Sequence, residues 1–330
     1  MTSRAAHDGA VALVGGTPLV FLPAISERAG ARLYGKCEFL NPTGSVKDRP
    51  ARTMVEQAEK RGELRPGGTI VEGTAGNTGI GLALVAAARK YRCLLVIPET
   101  MSAEKITLAR LLGAEVRLVP KVPYSDPGHY SHVAERLAGD LENAIWANQF
   151  DNPDNILAHY TTTGPEIWEQ TEGKVDAVVM GCGTGGTLTG VGRFLKERRS
   201  GIEMVVSDPG GSVLYSFVKE NRMEAPGSSI VEGVGIGRVT RCFDRQVVDD
   251  VLRISDREAV GASFALLREE GLFVGPSSGL SVAGAIRWAQ GRGRGKTIVC
   301  NLCDTGSRYL STVYNAGWLK AKGLTPGAPA

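Results

Sequence analysis

Two glycine-rich loops and one lysine of this 330-residue chain have the types and spacing to do chemistry. Gly181-Cys182-Gly183-Thr184-Gly185-Gly186 fits G-x-G-x-x-G between an apolar run and a helical pattern, and Asp208 ends the next apolar run 22 residues after Gly186. By pattern alone this is a dinucleotide fingerprint, with the acid reaching a ribose hydroxyl. The same residues also suit a different ligand. Gly183, Thr184, Gly185, Gly186 and Thr187 offer successive backbone N–H groups, two hydroxyls and a helix start converging on one point. That is a cup for a compact terminal phosphate, neutralised by dipoles rather than by lysine. The other loop, Gly73-Thr74-Ala75-Gly76-Asn77-Thr78-Gly79, also precedes a helical pattern and has Glu99 20 residues beyond it, but its glycine spacing misses the fingerprint. Residues 181–208 alone leave the two ligands evenly matched.

The lysine is Lys47, in Asn41-Pro42-Thr43-Gly44-Ser45-Val46-Lys47-Asp48-Arg49. Pro42 and Gly44 make a turn. Ser45 is the expected N-cap, which puts Lys47 in the first helical turn among positive backbone ends. An ammonium is disfavoured there, and the free amine that attacks a carbonyl carbon is favoured. Alone, a lysine so placed is an ordinary surface residue. Its meaning depends on the loops.

The elements that must position these groups alternate. TIVEG (69–73), CLLVIPE (93–99) and EVRLVP (115–120) read as buried strands, separated by the helical patterns that follow Thr74 and Ser102, the latter an N-cap. The pattern restarts after about residue 165, where DAVVMG, EMVVSDP and KTIVCNLCD alternate with helices. Repeated βαβ units predict parallel twisted sheets with helices on both faces, in two α/β lobes. No linker rich in Pro or Ser marks the boundary, which falls near 150–165.

Composition excludes several classes. With 42% hydrophobic and 22% charged residues and a net charge of +3, nothing calls for nucleic acid, and Lys196–Arg199 (KERR) reads as the solvated end of a helix. No segment reaches the ~18 apolar residues of a membrane span. The N-terminal stretch, with Asp8 inside it, is too short in apolar residues for a signal peptide. Six scattered cysteines predict reduced, buried thiols in a cytoplasmic protein, the Cys300-x-x-Cys303 pair included. His129-x-x-His132 lacks the further ligands of a metal site, so no metal is expected. The four tryptophans read as packing.

Taken in order, N-P-T-G-S-V-K-D-R (41–49), G-T-A-G-N-T-G-I-G-L-A-L (73–84) and G-T-G-G-T (183–187) resemble the fold-type-II pyridoxal-phosphate enzymes. Within them the chain is most similar to the cysteine synthase (O-acetylserine sulfhydrylase) and cystathionine β-synthase family, from VGGTPLV (14–20) to SRYLSTVYN (307–315). The resemblance implies a fold like that of the tryptophan synthase β chain. A smaller lobe would span 48–155 and a larger one 1–47 plus 156–330, with pyridoxal 5′-phosphate in the cleft between them. Lys47 would be the Schiff-base lysine and the acid–base group at Cα. Asn77 would hydrogen-bond the ring oxygen, and Gly183–Thr187 would hold the phosphate. Thr74, Ala75, Gly76, Asn77 and Thr78 would clamp the substrate carboxylate with Gln149. Thr305, in Cys303-Asp304-Thr305-Gly306, would set a neutral hydroxyl against the pyridine nitrogen. That leaves the ring a weaker electron sink, suited to departure of a β-leaving group. The expected reaction is ping-pong β-replacement on an activated serine: O-acetyl-L-serine and sulfide in, L-cysteine and acetate out, catalysed by a homodimer. Ala75 stands where the family usually has serine, removing one hydroxyl from the carboxylate loop. Cystathionine β-synthase or another β-substituted alanine synthase is the second reading; the haem-type N-terminal segment and C-terminal regulatory pair of large cystathionine β-synthases have no counterpart here. A dinucleotide oxidoreductase, which would not need Lys47, is the reading from another class.

Overall fold

The computed structural model describes residues 6–74 and 76–325. Among the described residues, ten strands form two sheets. The larger has the order β1 (Leu19–Phe21), β2 (Arg32–Cys37), β10 (Thr297–Leu302), β7 (Ala177–Gly181), β8 (Glu203–Asp208), β9 (Asp250–Arg253). The smaller has the order β5 (Glu115–Val119), β4 (Arg92–Pro98), β3 (Thr69–Gly73), β6 (Ala144–Trp146). Every pairing is parallel except β1 with β2.

The sequence of each central strand explains why both faces are covered. In β7, Ala177 and Val179 point into one core with Ile298, Cys300 and the helix Pro276–Trp288, while Val178 and Met180 enter a second core with Met204, Val206 and Leu188. The smaller sheet divides in the same way: Ile70 and Leu95 face one side, Val71, Leu94 and Val96 the other. A period of two with apolar residues at every position requires helices on both faces. At the edge strand β5 the alternation relaxes, and Glu115 and Leu118 are exposed.

Parallel strands gather their carboxyl ends on one side, and ligands bind there in open α/β sheets. β3 runs into the helix Asn77–Arg89, β7 into the helix Gly186–Arg198, and β2 into the turn that carries Lys47. That turn is stitched to the end of β10: Val46 N–H donates to Cys303 O at 2.8 Å, Thr305 N–H donates to Gly44 O at 3.0 Å, and Ser45 bridges Asp304. The helix begins at Asp48, two residues later than the sequence implied, with Lys47 itself at the N-cap position. Ser45 cannot cap it because its backbone is held in the bridge to Asp304; its Oγ accepts the Lys47 N–H at 3.3 Å instead. The Asp48 carboxylate ties the turn from inside, accepting the Thr43 N–H at 2.7 Å and the Thr43 hydroxyl.

Behind the turn lies a buried ionic cluster that the sequence did not disclose. Arg49 donates to Glu38 (2.7 and 2.8 Å), Glu166 (2.7 and 2.7 Å) and Thr17 Oγ1 (3.0 Å), with 2% of its side chain exposed. Lys36, equally buried, adds Glu166, Gln170 and the Thr17 carbonyl. Burial works to raise the Glu166 pKa, but Arg49 and Lys36 outweigh it and hold the carboxyl down at about 2.

Candidate active site

A cavity of about 540 Å³ opens at the carboxyl ends of both sheets. Lys47 lies on its wall, as do Thr74, Gly76, Asn77, Thr78 and Gln149 from the smaller-sheet side and Gly183, Thr184, Gly185 and Thr187 from the larger. The structure thus brings together the lysine and both glycine loops, which are more than a hundred residues apart in the chain. Gly186 sits just behind the lining, where a Cβ would overlap the Asn155 side chain. Ala75 lies outside the described residues.

The loop after β7 has the form of an anion cup. Gly185 has φ 93°, a left-handed conformation suited to glycine. A side chain on Gly183 would overlap the Gly233 carbonyl. Thr187 and Leu188 N–H precede the first intrahelical bond of the 13-residue helix, Thr189 N–H to Gly185 O at 2.9 Å. Such N–H groups, aimed at the cavity with the helix dipole behind them, suit a phosphate. Thr184 Oγ1 accepts from Asn155 Nδ2 at 3.0 Å, which leaves its proton free to donate.

On the opposite wall, Thr78 Oγ1 donates to Gln149 Oε1 at 2.5 Å, and the Gln149 amide reaches Gly73 O at 3.5 Å. Gly76 N–H is held by Thr74 Oγ1 at 3.1 Å. Glu72 is buried directly behind this loop, and burial pushes its carboxyl up to about 8 despite hydrogen bonds from Gln149 and Asn148. Asn77 is fixed from both ends. Its Nδ2 donates to Asp304 Oδ2 at 2.7 Å, and its Oδ1 accepts from the Arg308 guanidinium. Tyr309 OH also donates to Asp304 Oδ2, at 2.7 Å.

Thr305 stands apart from the cavity. Its hydroxyl accepts the Ser307 N–H at 3.4 Å and starts the short 3-10 turn Gly306–Tyr309, while its methyl packs on Gly44. The hydroxyl on the cavity wall next to Cys303 is Ser277, in the first turn of the helix Pro276–Trp288 and 4% exposed. The sequence signal was present, since Pro276-Ser277-Ser278-Gly279 is a run of small residues behind a proline that suits a helix start. The sequence reading also passed over Lys105. It is 5% exposed, ion-paired with Glu232 and 5.1 Å above the Tyr309 ring, and all three line the cavity. A helix that shows only a capping serine gives no sign that its first turn faces a cleft.

Asp208 is turned away from the cavity, its Oδ2 accepting Tyr215 N–H at 2.9 Å. A ribose hydroxyl has no acid to meet at that strand end. The model of the family described as pyridoxal-phosphate dependent enzyme matches residues 11–304. The chain belongs to that family. Cysteine synthase 1 of Neurospora crassa is 48% identical over 97% of this chain and 87% of its own length. Cysteine synthase of Dictyostelium discoideum is 43% identical over 94% and 85%. Cystathionine beta-synthase of Apis mellifera is 42% identical over 94% of this chain, which spans 62% of that protein. The protein is therefore an enzyme of fold type II whose cofactor is pyridoxal 5′-phosphate, and the dinucleotide reading of Gly181–Gly186 is set aside.

The other features are accounted for locally. All six cysteines are buried and unpaired, and burial raises the Cys303 thiol to about 12. His129 Nδ1 accepts Ser131 N–H at 3.3 Å, capping the helix Tyr130–Gly139, and His132 Nε2 meets Tyr124 O at 2.7 Å. Among the described residues, no helix is long and apolar enough to cross a membrane.

Proposed function

We propose that the chain catalyses β-replacement on O-acetyl-L-serine with sulfide, giving L-cysteine and acetate. The carrying observation is that Lys47, the cup at Gly183–Thr187 and the Thr78–Gln149 pair share one cavity. The names of the relatives at 48% and 43% identity, cysteine synthase, support the same product.

Pyridoxal phosphate, when bound, supplies the electron sink that makes the α-proton of an amino acid acidic. The residues around it divide the remaining work. Gly183–Thr187 holds the phosphate by N–H and hydroxyl groups, and Asn77 donates its second amide hydrogen to the ring oxygen. Ser277, rather than Thr305, presents the neutral hydroxyl to the pyridine nitrogen, so no carboxylate is there to keep that nitrogen protonated. Thr74, Gly76, Thr78 and Gln149 receive the substrate α-carboxylate; Ala75 contributes no hydroxyl there. Lys47 carries the substrate's α-proton away from Cα and returns it.

The Lys105–Glu232 pair favours a second reading in which the nucleophile is an amino-acid thiol. A cation and an anion on one wall match an amino acid's two charged groups, and relatives named cystathionine beta-synthase cover 94% of this chain. The resemblance supports a homodimer, to be checked by light scattering. The six unpaired thiols support a reducing compartment such as the cytoplasm.

The test is the visible spectrum of the purified protein. A yellow band that changes with O-acetyl-L-serine and returns with sulfide as cysteine is released is the expected result. A band that ignores O-acetyl-L-serine but responds to serine with homocysteine moves the assignment to the second reading. A protein that takes up no pyridoxal phosphate refutes both.

A further inference from the structure

Between the helices Pro153–Ala158 and Gly164–Gln170 the chain makes one π-helical turn, His159–Thr163, closed by Gly164 N–H donating to His159 O. Such turns are uncommon and cluster at functional sites. This one lies against the phosphate cup. His159 is 1% exposed, with Nδ1 at 2.9 Å from Thr163 Oγ1 and Nε2 at 3.1 Å from Thr187 Oγ1. The space is built for the ring, since a Cβ on Gly190 would come within 2.8 Å of His159 Cβ. We propose that Thr163 and His159 form a hydrogen-bond relay that turns the hydroxyl proton of Thr187 outward, onto the cofactor's phosphate. The proposal rests on the reading of Gly183–Thr187 as the phosphate site.

The argument is a count of protons. Burial, reinforced by the charges of Arg49 and Lys47, puts the His159 pKa well below its usual value, so the ring is neutral. A neutral imidazole has one N–H and one lone pair. Two arrangements satisfy both neighbours. With the proton on Nδ1, the ring donates to Thr163 and accepts the Thr187 proton, which then points away from the cavity. With the proton on Nε2, the ring donates to Thr187, Nδ1 accepts the Thr163 proton, and the Thr187 proton is free. A phosphate dianion can only accept, so it selects the second.

That arrangement needs a free proton on Thr163, and the π turn provides it. Thr161 and Thr162 commit their hydroxyls to carbonyls four residues back, Leu157 O at 2.8 Å and Ala158 O at 2.5 Å. Thr163 breaks the series: the carbonyl four residues before it is the one that closes the π turn, and its hydroxyl lies on the His159 ring. The relay fixes a donor before the anion arrives, which is how preorganised sites gain strength.

The histidine tautomer tests this without any variant. Nitrogen-15 NMR of the holoenzyme should show His159 protonated at Nε2; protonation at Nδ1 overturns the proposal. Cofactor affinity provides a second readout, by titrating the cofactor-free enzyme with pyridoxal phosphate. Replacing Thr163 by Val should weaken binding about 2–10-fold, the worth of one neutral hydrogen bond, and Thr163→Ser should restore it. Thr187→Val should weaken binding at least as much, and adding Thr163→Val to it should cost nothing further. Additive losses would mean that Thr163 acts only on packing and would overturn the relay. If Thr187→Val left affinity unchanged, the phosphate-loop reading would fall and the relay with it.

Discussion

Replacing Arg49 by Met should destabilise the protein by about 3–5 kcal/mol, the usual cost of stranding a buried charge. The structure shows why the loss cannot be absorbed. Glu166 is 18% exposed and keeps Lys36 at 2.6 Å, so it retains a cation and some water. Glu38 is fully buried and would be left with only Thr17 Oγ1 at 2.7 Å and Asn41 Nδ2 at 3.0 Å. Two neutral donors do not offset the removal of a carboxylate from water. The double variant Arg49→Met with Glu38→Gln removes the stranded charge, leaves an amide oxygen to accept from Asn41 Nδ2 and an amide N–H that the Thr17 hydroxyl can accept, and should recover more than half of the loss. Urea unfolding at pH 7, followed by tryptophan fluorescence, measures both. A single-variant loss under about 1 kcal/mol, at the level of an exposed ion pair, would refute the reasoning. So would a double variant no better than the single one.

Three further outcomes are expected. Lys47→Ala should lower turnover by at least about 10²-fold, the low end for a positioned acid–base group, in an assay of cysteine release from O-acetyl-L-serine and sulfide. Ser277→Ala should change the cofactor's absorbance maximum and slow the enzyme, whereas Thr305→Ala should leave the spectrum unchanged; the reverse pattern would return the pyridine-facing role to Thr305. Glu72 binds its proton more tightly folded than unfolded, with a folded value of about 8. Stability should therefore fall as pH rises from the ordinary carboxylate range towards 8. Glu72→Gln should flatten that decline and make the variant the more stable protein at pH 8.5, as followed by thermal unfolding across pH 5–9.

What could be read from the sequence followed from how local each signal is. The strand cores at 69–73, 93–98 and 115–119 were legible because each is a short run bounded by turn residues, and two-sided burial of the first two fixes their parallel pairing. Strand β9 at Asp250–Arg253 was not, since its sequence DVLR has no alternation or length to set it apart. The turns that carry Lys47, Asn77 and Gly183–Thr187 were legible because each motif is contiguous and its neighbours dictate its turn. The place of Ser277 on the cavity wall was not legible, for the opposite reason. Pro276–Gly279 opens a helix and Cys303–Gly306 follows a strand, and only the packing of the helix Pro276–Trp288 decides which hydroxyl reaches the cavity.

The same limit explains why the groups that hold the site rigid were the least visible. Asn77 is fixed by Asp304, 227 residues away, and by Arg308, 231 residues away. Lys105 meets Glu232 across 127 residues. None of these partners forms a recognisable pattern with its mate, because the interval between them is set by how many elements intervene and not by any turn geometry. Under the role proposed for Asn77 they bear on function in a direct way. An amide can present either its oxygen or its nitrogen, and Asn77 can donate to a cofactor oxygen only in one of the two flips. Arg308 takes the carbonyl oxygen and Asp304 takes one N–H, which leaves a single N–H to face the cavity. The motif thus provides the asparagine, while its orientation, and with it the sign of the contact, comes from the other end of the chain.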